Sequence, residues 1–256
     1  MTSEKESPFI SVHIKKTGGT SLRKFYVDVF GKDRVYFYYP NEGGLLKASD
    51  ERAELLISRP LLYWARDILI QSELGRQLYQ LLHNIRQAKR VKSIHILQPS
   101  DLPEDFAVVH GHFQPDYLGQ TIPKGRMVTV LREPIARAES NYRYWKGLAA
   151  IGHQIPETWF DPTMSFEDYA EYPDMVNFQS KALVGFSLSS FTQVGVTERL
   201  DCFCRFFDPK GRVPLLRLNV TRAVGRVDIS DSFRAKFQNM NYLDYALYRE
   251  AQARAI

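Results

Sequence analysis

Six consecutive residues, Lys16, Thr17, Gly18, Gly19, Thr20 and Ser21, follow the apolar run FISVHI and Lys15, and they precede a helix-like pattern. A lysine, two glycines and three hydroxyls at a strand–loop–helix junction make an anion cradle. Backbone N–H groups at a helix N-terminus point at the ligand, and glycines allow the backbone to approach closely. A lysine ammonium reaches a phosphate as a point charge. The alternative is a tight polar turn that caps the helix. The ATP/GTP signature G-x-x-x-x-G-K-[ST] puts a glycine ahead of the lysine. Here the glycines follow it, and no hydrophobic strand ends in an obvious magnesium-binding Asp, which argues against a metal–nucleotide site.

Two further clusters carry chemistry. In VVHGHF, His110 and His112 fall on the same side of an extended segment. A His-x-His pair suggests a metal, but a metal needs further ligands and none stands nearby in sequence. A neutral imidazole is also a competent general base. In VTVLREPIARAESNYRYW, Arg132 ends an apolar run and Ser140 lies eight residues on. A guanidinium and a hydroxyl suit a phosphate dianion, although a sheet-capping arginine and a surface serine are the blander alternative.

The elements that position these clusters read as alternating strands and helices. Residues 9–14, 34–39, 106–113, 125–133, 191–198 and 213–220 read as strands. Helices are expected at Ser21 to Phe30 with Gly31 as its stop, over much of 50–90, from Pro134 onward, near 166–185 with an interruption at Pro173, over 198–207, and over 230–254. Leu69, Leu74, Leu78, Leu81 and Leu82 form an apolar stripe, and Arg86, Lys89, Arg90 and Lys92 end it. Alternation of this kind implies a parallel sheet with helices on both faces, with ligands at the carboxyl ends of the strands. The three clusters all fall at such ends.

The order strand–HIKKTGGTSL–helix closely resembles the 5′-phosphosulfate loop of the sulfotransferases that use 3′-phosphoadenosine 5′-phosphosulfate (PAPS), and is most similar to their carbohydrate branch. That branch has a proline where this chain has Lys15. The resemblance implies a three-layer α/β, P-loop-type fold as a single domain over residues 1–256, with 1–7 a flexible tail. It implies that Lys16, Thr17, Gly18, Gly19, Thr20 and Ser21 hold the 5′ end of PAPS, and that Arg132 and Ser140 grip its 3′-phosphate. Glu133 stands where the family has Asp. The heparan and uronyl 2-O-sulfotransferases carry a similar His-Gly-His segment. That likeness implies His112 as general base with His110 as its supporting partner, His110 and Glu133 being the runner-up bases. LNVTRAVGRVDIS resembles the basic loop that closes over the cofactor, so Arg222 and Arg226 become candidates there. The expected reaction is sulfuryl transfer from PAPS to an acceptor hydroxyl, on a saccharide or glycoconjugate, with no metal. A P-loop kinase using ATP and a non-catalytic binder of anionic glycans are the alternatives.

Composition sets outer limits. The chain has 256 residues, 44% of them hydrophobic, and a net charge of +5. That suffices for a substantial core, fits an anionic ligand without requiring one, and names no nucleic-acid partner. Cys202 and Cys204 alone give no disulfide framework, and a reduced compartment is expected. The chain reads as cytoplasmic, or as a soluble catalytic domain of a longer anchored protein. Tyr144, Trp145, Trp159 and Trp64 read either as sugar-stacking rings or as core.

Overall fold

The computed structural model describes residues 7–39, 43–49, 96–119, 125–150, 157–218 and 227–255, with isolated residues between these segments. Six strands form one sheet: β1 (Phe9–Val12), β2 (Val35–Tyr39), β3 (Gly44–Lys47), β4 (Val108–Gly111), β5 (Arg126–Leu131) and β6 (Gln193–Val196). Their spatial order is β3-β2-β4-β1-β5-β6. Every pairing is parallel except β2 with β3, which is antiparallel at one edge. The described helices are α1 (Gly19–Phe30), α2 (Pro115–Gly119), α3 (Pro134–Ala149), α4 (Phe166–Glu171), α5 (Phe178–Ala182), α6 (Leu200–Arg205), α7 (Asp231–Met240) and α8 (Tyr242–Arg254).

Burial on both sheet faces explains the continuous apolar strands. Along β1, Ile10 and Val12 face one cluster that includes Tyr248 and Ala251 of α8. Phe9 faces the other, where Leu22, Phe25 and Tyr26 of α1 meet Leu200 and Phe203 of α6. The result is an α/β arrangement with helices on both sides of a mostly parallel sheet. A third cluster, with Tyr142, Trp145, Tyr169 and Phe233, joins α3, α4 and α7 beside it.

Several expectations need correction. Residues 213–218 form no strand. They run as a strap along α1, with Val213 and Leu215 packed on its cluster and the Leu218 N–H donating to Ser21 Oγ at 3.0 Å. The strand β3 was not anticipated. As expected, the segment near 166–185 is helical with an interruption that contains Pro173, and that near 230–254 is largely helical, its two helices parted at Asn241, whose buried amide holds Phe237 O and the Asn177 N–H. Ser7, the last residue of the expected tail, accepts a hydrogen bond from Arg126 Nε at 3.0 Å. Residues 1–6, most of the 50–90 helical region with its basic group, Trp64, Arg222 and Arg226 lie outside the described residues. Among the described residues, no helix is long and apolar enough to cross a membrane.

Candidate functional site

Three neighbouring strands, β4, β1 and β5, end side by side, and their carboxyl ends deliver His112, the turn that carries Lys16, and Arg132. Past β1 the chain turns sharply. Lys16 has φ 74°, a left-handed conformation uncommon for a residue with a side chain. Gly18, at φ 88°, is the N-cap of α1, and no side chain caps that helix. The turn therefore brings α1 in with its N-terminal amides and positive dipole end toward the cavity described below. Gly19 is required by space. A Cβ there would lie 1.9 Å from His13 Nε2.

A cavity of about 610 Å³ opens over this turn. Its walls include Lys16, Gly18, Gly19, Thr20, Ser21, His112, Arg132 and Ser140, so three clusters widely separated in sequence share one space. Lys16 Nζ sits 4.1 Å above the Tyr144 ring. Arg132 ties two clusters together, its Nη1 donating to Lys16 O at 3.2 Å. Its own backbone is clamped by Gln179, which accepts from Arg132 N at 3.0 Å and donates to Arg132 O at 2.8 Å.

Thr17 and His110 do not line the cavity. The Thr17 hydroxyl is buried and donates to Ile14 O at 2.9 Å, so it stiffens the loop from within. His110 is wholly buried, with Nδ1 2.8 Å from Ser11 Oγ. Its Nε2 is buried without a hydrogen-bond partner. Direct contact with a ligand is closed to it. Glu133 is not free to act as a base either. Its Oε2 accepts from Ala136 N at 2.7 Å as the N-cap of α3, and its Oε1 accepts from the Tyr245 hydroxyl at 2.8 Å.

His112 is placed differently. Its Nδ1 lies 2.7 Å from His13 O. A carbonyl oxygen only accepts, so Nδ1 carries the proton and Nε2 keeps its lone pair. Burial holds the His112 pKa down to about 4, against the pull of that hydrogen bond and with help from Arg23 and Lys15. The ring is thus neutral at physiological pH. His13 stacks against both other imidazoles, with ring centroids 4.9 Å from His110 and 4.6 Å from His112. Burial, then the His112 and His110 rings, keeps His13 well below its ordinary value, and burial does the same to His110.

Sequence reasoning missed His13, Arg23, Arg217 and Glu157, all of which line the cavity. The period-two alternation from Ser11 to His13 was an available signal for His13. It places both on one face of β1 and its extension, and Ser11 pairs with His110 across the sheet. The aromatic candidates divide. Trp145 is 4% exposed and packs edge-on against Trp159, Phe160 and Tyr169, and it also contributes to the cavity wall. Trp159 is stacked face to face on Tyr172 at 3.7 Å. Tyr144 is the ring beneath the Lys16 ammonium.

Cys202 and Cys204 are free thiols. Among the described residues no group of three or more His, Cys, Asp or Glu is placed to hold a metal ion. Neither a protein-family model nor a curated protein matches the chain.

Proposed function

We propose that the chain is a PAPS-dependent sulfotransferase of P-loop type that sulfates a hydroxyl on a carbohydrate. One observation carries the reading. The N-terminal turn of α1 with Lys16, the pair Arg132 and Ser140, and His112, whose Nε2 keeps its lone pair, line one cavity of about 610 Å³. That volume is in the range of small-molecule and cofactor sites.

When bound, PAPS supplies an activated sulfuryl group on a phosphate leaving group. Lys16 and the 18–21 turn hold the 5′ end and meet the charge that grows on the departing bridge oxygen. Arg132 and Ser140 hold the 3′-phosphate and so fix the reacting sulfur in place. His112 Nε2 would take the proton of the acceptor hydroxyl as that oxygen receives the sulfuryl group. The His13 carbonyl keeps the ring in the tautomer this requires. His110 supports the arrangement only through His13, by stacking.

The kinase alternative lacks the glycine ahead of Lys16. The glycan-binder alternative leaves the His112 tautomer without a purpose. Transfer of labelled sulfate from PAPS to a panel of polysaccharides, glycolipids, peptides and small alcohols tests the proposal. Transfer to a saccharide that is lost in His112→Ala supports it. No transfer to any acceptor, with no binding of adenosine 3′,5′-bisphosphate, refutes it.

A further inference from the structure

Lys16 must be aimed before it can serve a ligand. Its ammonium rides on a flexible four-carbon stem, and that stem leaves a backbone turned left-handed at φ 74°. The helix α3 reaches over to it. Tyr144 lies one helical turn beyond Ser140, on the same face of α3, and both line the cavity. The Tyr144 ring is half-buried and packs on the cluster that joins α3, α4 and α7. Lys16 Nζ stands 4.1 Å from its centroid, over the face. A ring face attracts a cation through its quadrupole. Because the ring is neutral, it fixes the ammonium without cancelling its charge. Lys15 shows the contrast, since it pairs with a carboxylate oxygen of Glu157 at 3.2 Å. Arg23, another cation of the cavity wall, repeats the ring pattern, 5.0 Å from the Phe37 centroid and 5.4 Å from that of Tyr39.

We propose that Tyr144 is the positioning residue for Lys16. Its ring face holds the ammonium beside the cradle, with the charge intact, ready for the 5′-phosphate of the nucleotide. Ordering the flexible stem in advance removes that cost from binding. The role belongs to the ring and not to the phenol hydroxyl. It makes Tyr144 neither a sugar platform nor a filler of the core, the two readings open from its residue type. The inference rests on the sulfotransferase reading, since that reading gives Lys16 the 5′ end of the nucleotide.

The test is a double-mutant cycle read by binding. Adenosine 3′,5′-bisphosphate is titrated into the full chain as wild type, Tyr144→Phe and Tyr144→Leu, each with Lys16 and with Lys16→Ala. Tyr144→Phe is expected to bind within about twofold of wild type, and Tyr144→Leu about fivefold more weakly, the scale of one cation–ring contact. In the Lys16→Ala background the leucine is expected to change affinity by less than about twofold, because the ring then has no cation to hold. A ring that only packs gives the same loss in both backgrounds. That result overturns the inference and leaves the sulfotransferase reading standing. A second series keeps the ring's shape, so it reports even where Tyr144→Leu misfolds: Tyr144→Phe carrying one, two and three ring fluorines. Each fluorine draws charge from the ring face, so affinity is expected to fall stepwise while Lys16 is present. Level affinity across that series also overturns the inference alone. Failure of wild type to bind the bisphosphate removes both.

Discussion

Gly19→Ala is the sharpest test of how the cradle and the histidines depend on each other. The new methyl would lie 1.9 Å from His13 Nε2 and 2.5 Å from two ring carbons. To regain even 3.0 Å, a separation that real contacts rarely undercut, the His13 ring must move by about 1.1 Å. It has little freedom to do so, because it stacks on His112 at 4.6 Å and on His110 at 4.9 Å. Overpacking of this kind costs about 1–3 kcal/mol. Alanine in place of glycine in a helix returns at most about 1 kcal/mol. The net expectation is a loss of up to about 2 kcal/mol, read by urea denaturation. Because the His13 ring stacks on His112, a displacement near 1 Å should also lower turnover by about 10²-fold. If Gly19→Ala is as stable as wild type or more so, with turnover unchanged, helix propensity has won and the coupling is refuted.

Three further outcomes are expected. Lys16→Ala should lower the transfer rate by about 10²–10³-fold, as for loss of a preorganised donor, and near-normal turnover would remove its role. Arg132→Lys should weaken adenosine 3′,5′-bisphosphate measurably in a titration, because a lysine cannot make the paired contacts of a guanidinium; unchanged affinity would dissociate Arg132 from the ligand. Stability should fall on acidification. His13, His110 and His112 all have pKa values lowered from the ordinary 6.5, so below 6.5 the unfolded chain binds more protons than the folded one. The contribution is fully present above pH 6.5 and is lost as pH drops toward 4, at up to about 1.4 kcal/mol per pH unit for each histidine. A melting temperature that is flat between pH 7 and 5 would contradict this.

The buried strands β1, β5 and β6 were legible because parallel strands covered on both faces are plain apolar runs. The edge strand β3 was not, since GLLK is four residues long and carries no alternation of its own. The strap at 213–218 misled for a physical reason. Val213 and Leu215 pack inward at a spacing of two, a pattern that an extended segment lying on a helix shares with a strand. Only ladder bonds separate the two, and a single sequence does not show them. The motif residues of the site were legible from type and spacing. Thr17 was over-read as a ligand-facing donor, because the direction of its hydroxyl depends on how tightly the loop turns. His13 and Glu157 were missed because their meaning lies in contacts across 99 and 142 positions of chain, with His112 and Lys15 respectively.

On the proposed reading, this cavity takes a nucleotide carrying phosphates at both 3′ and 5′ positions. Calorimetric titration of the wild-type chain with adenosine 3′,5′-bisphosphate and, separately, with ATP and magnesium measures that directly. The bisphosphate is expected to bind at least about 10-fold tighter, with the preference lost in Arg132→Ala. Equal affinity for the two ligands, or a preference for ATP with magnesium, would contradict it.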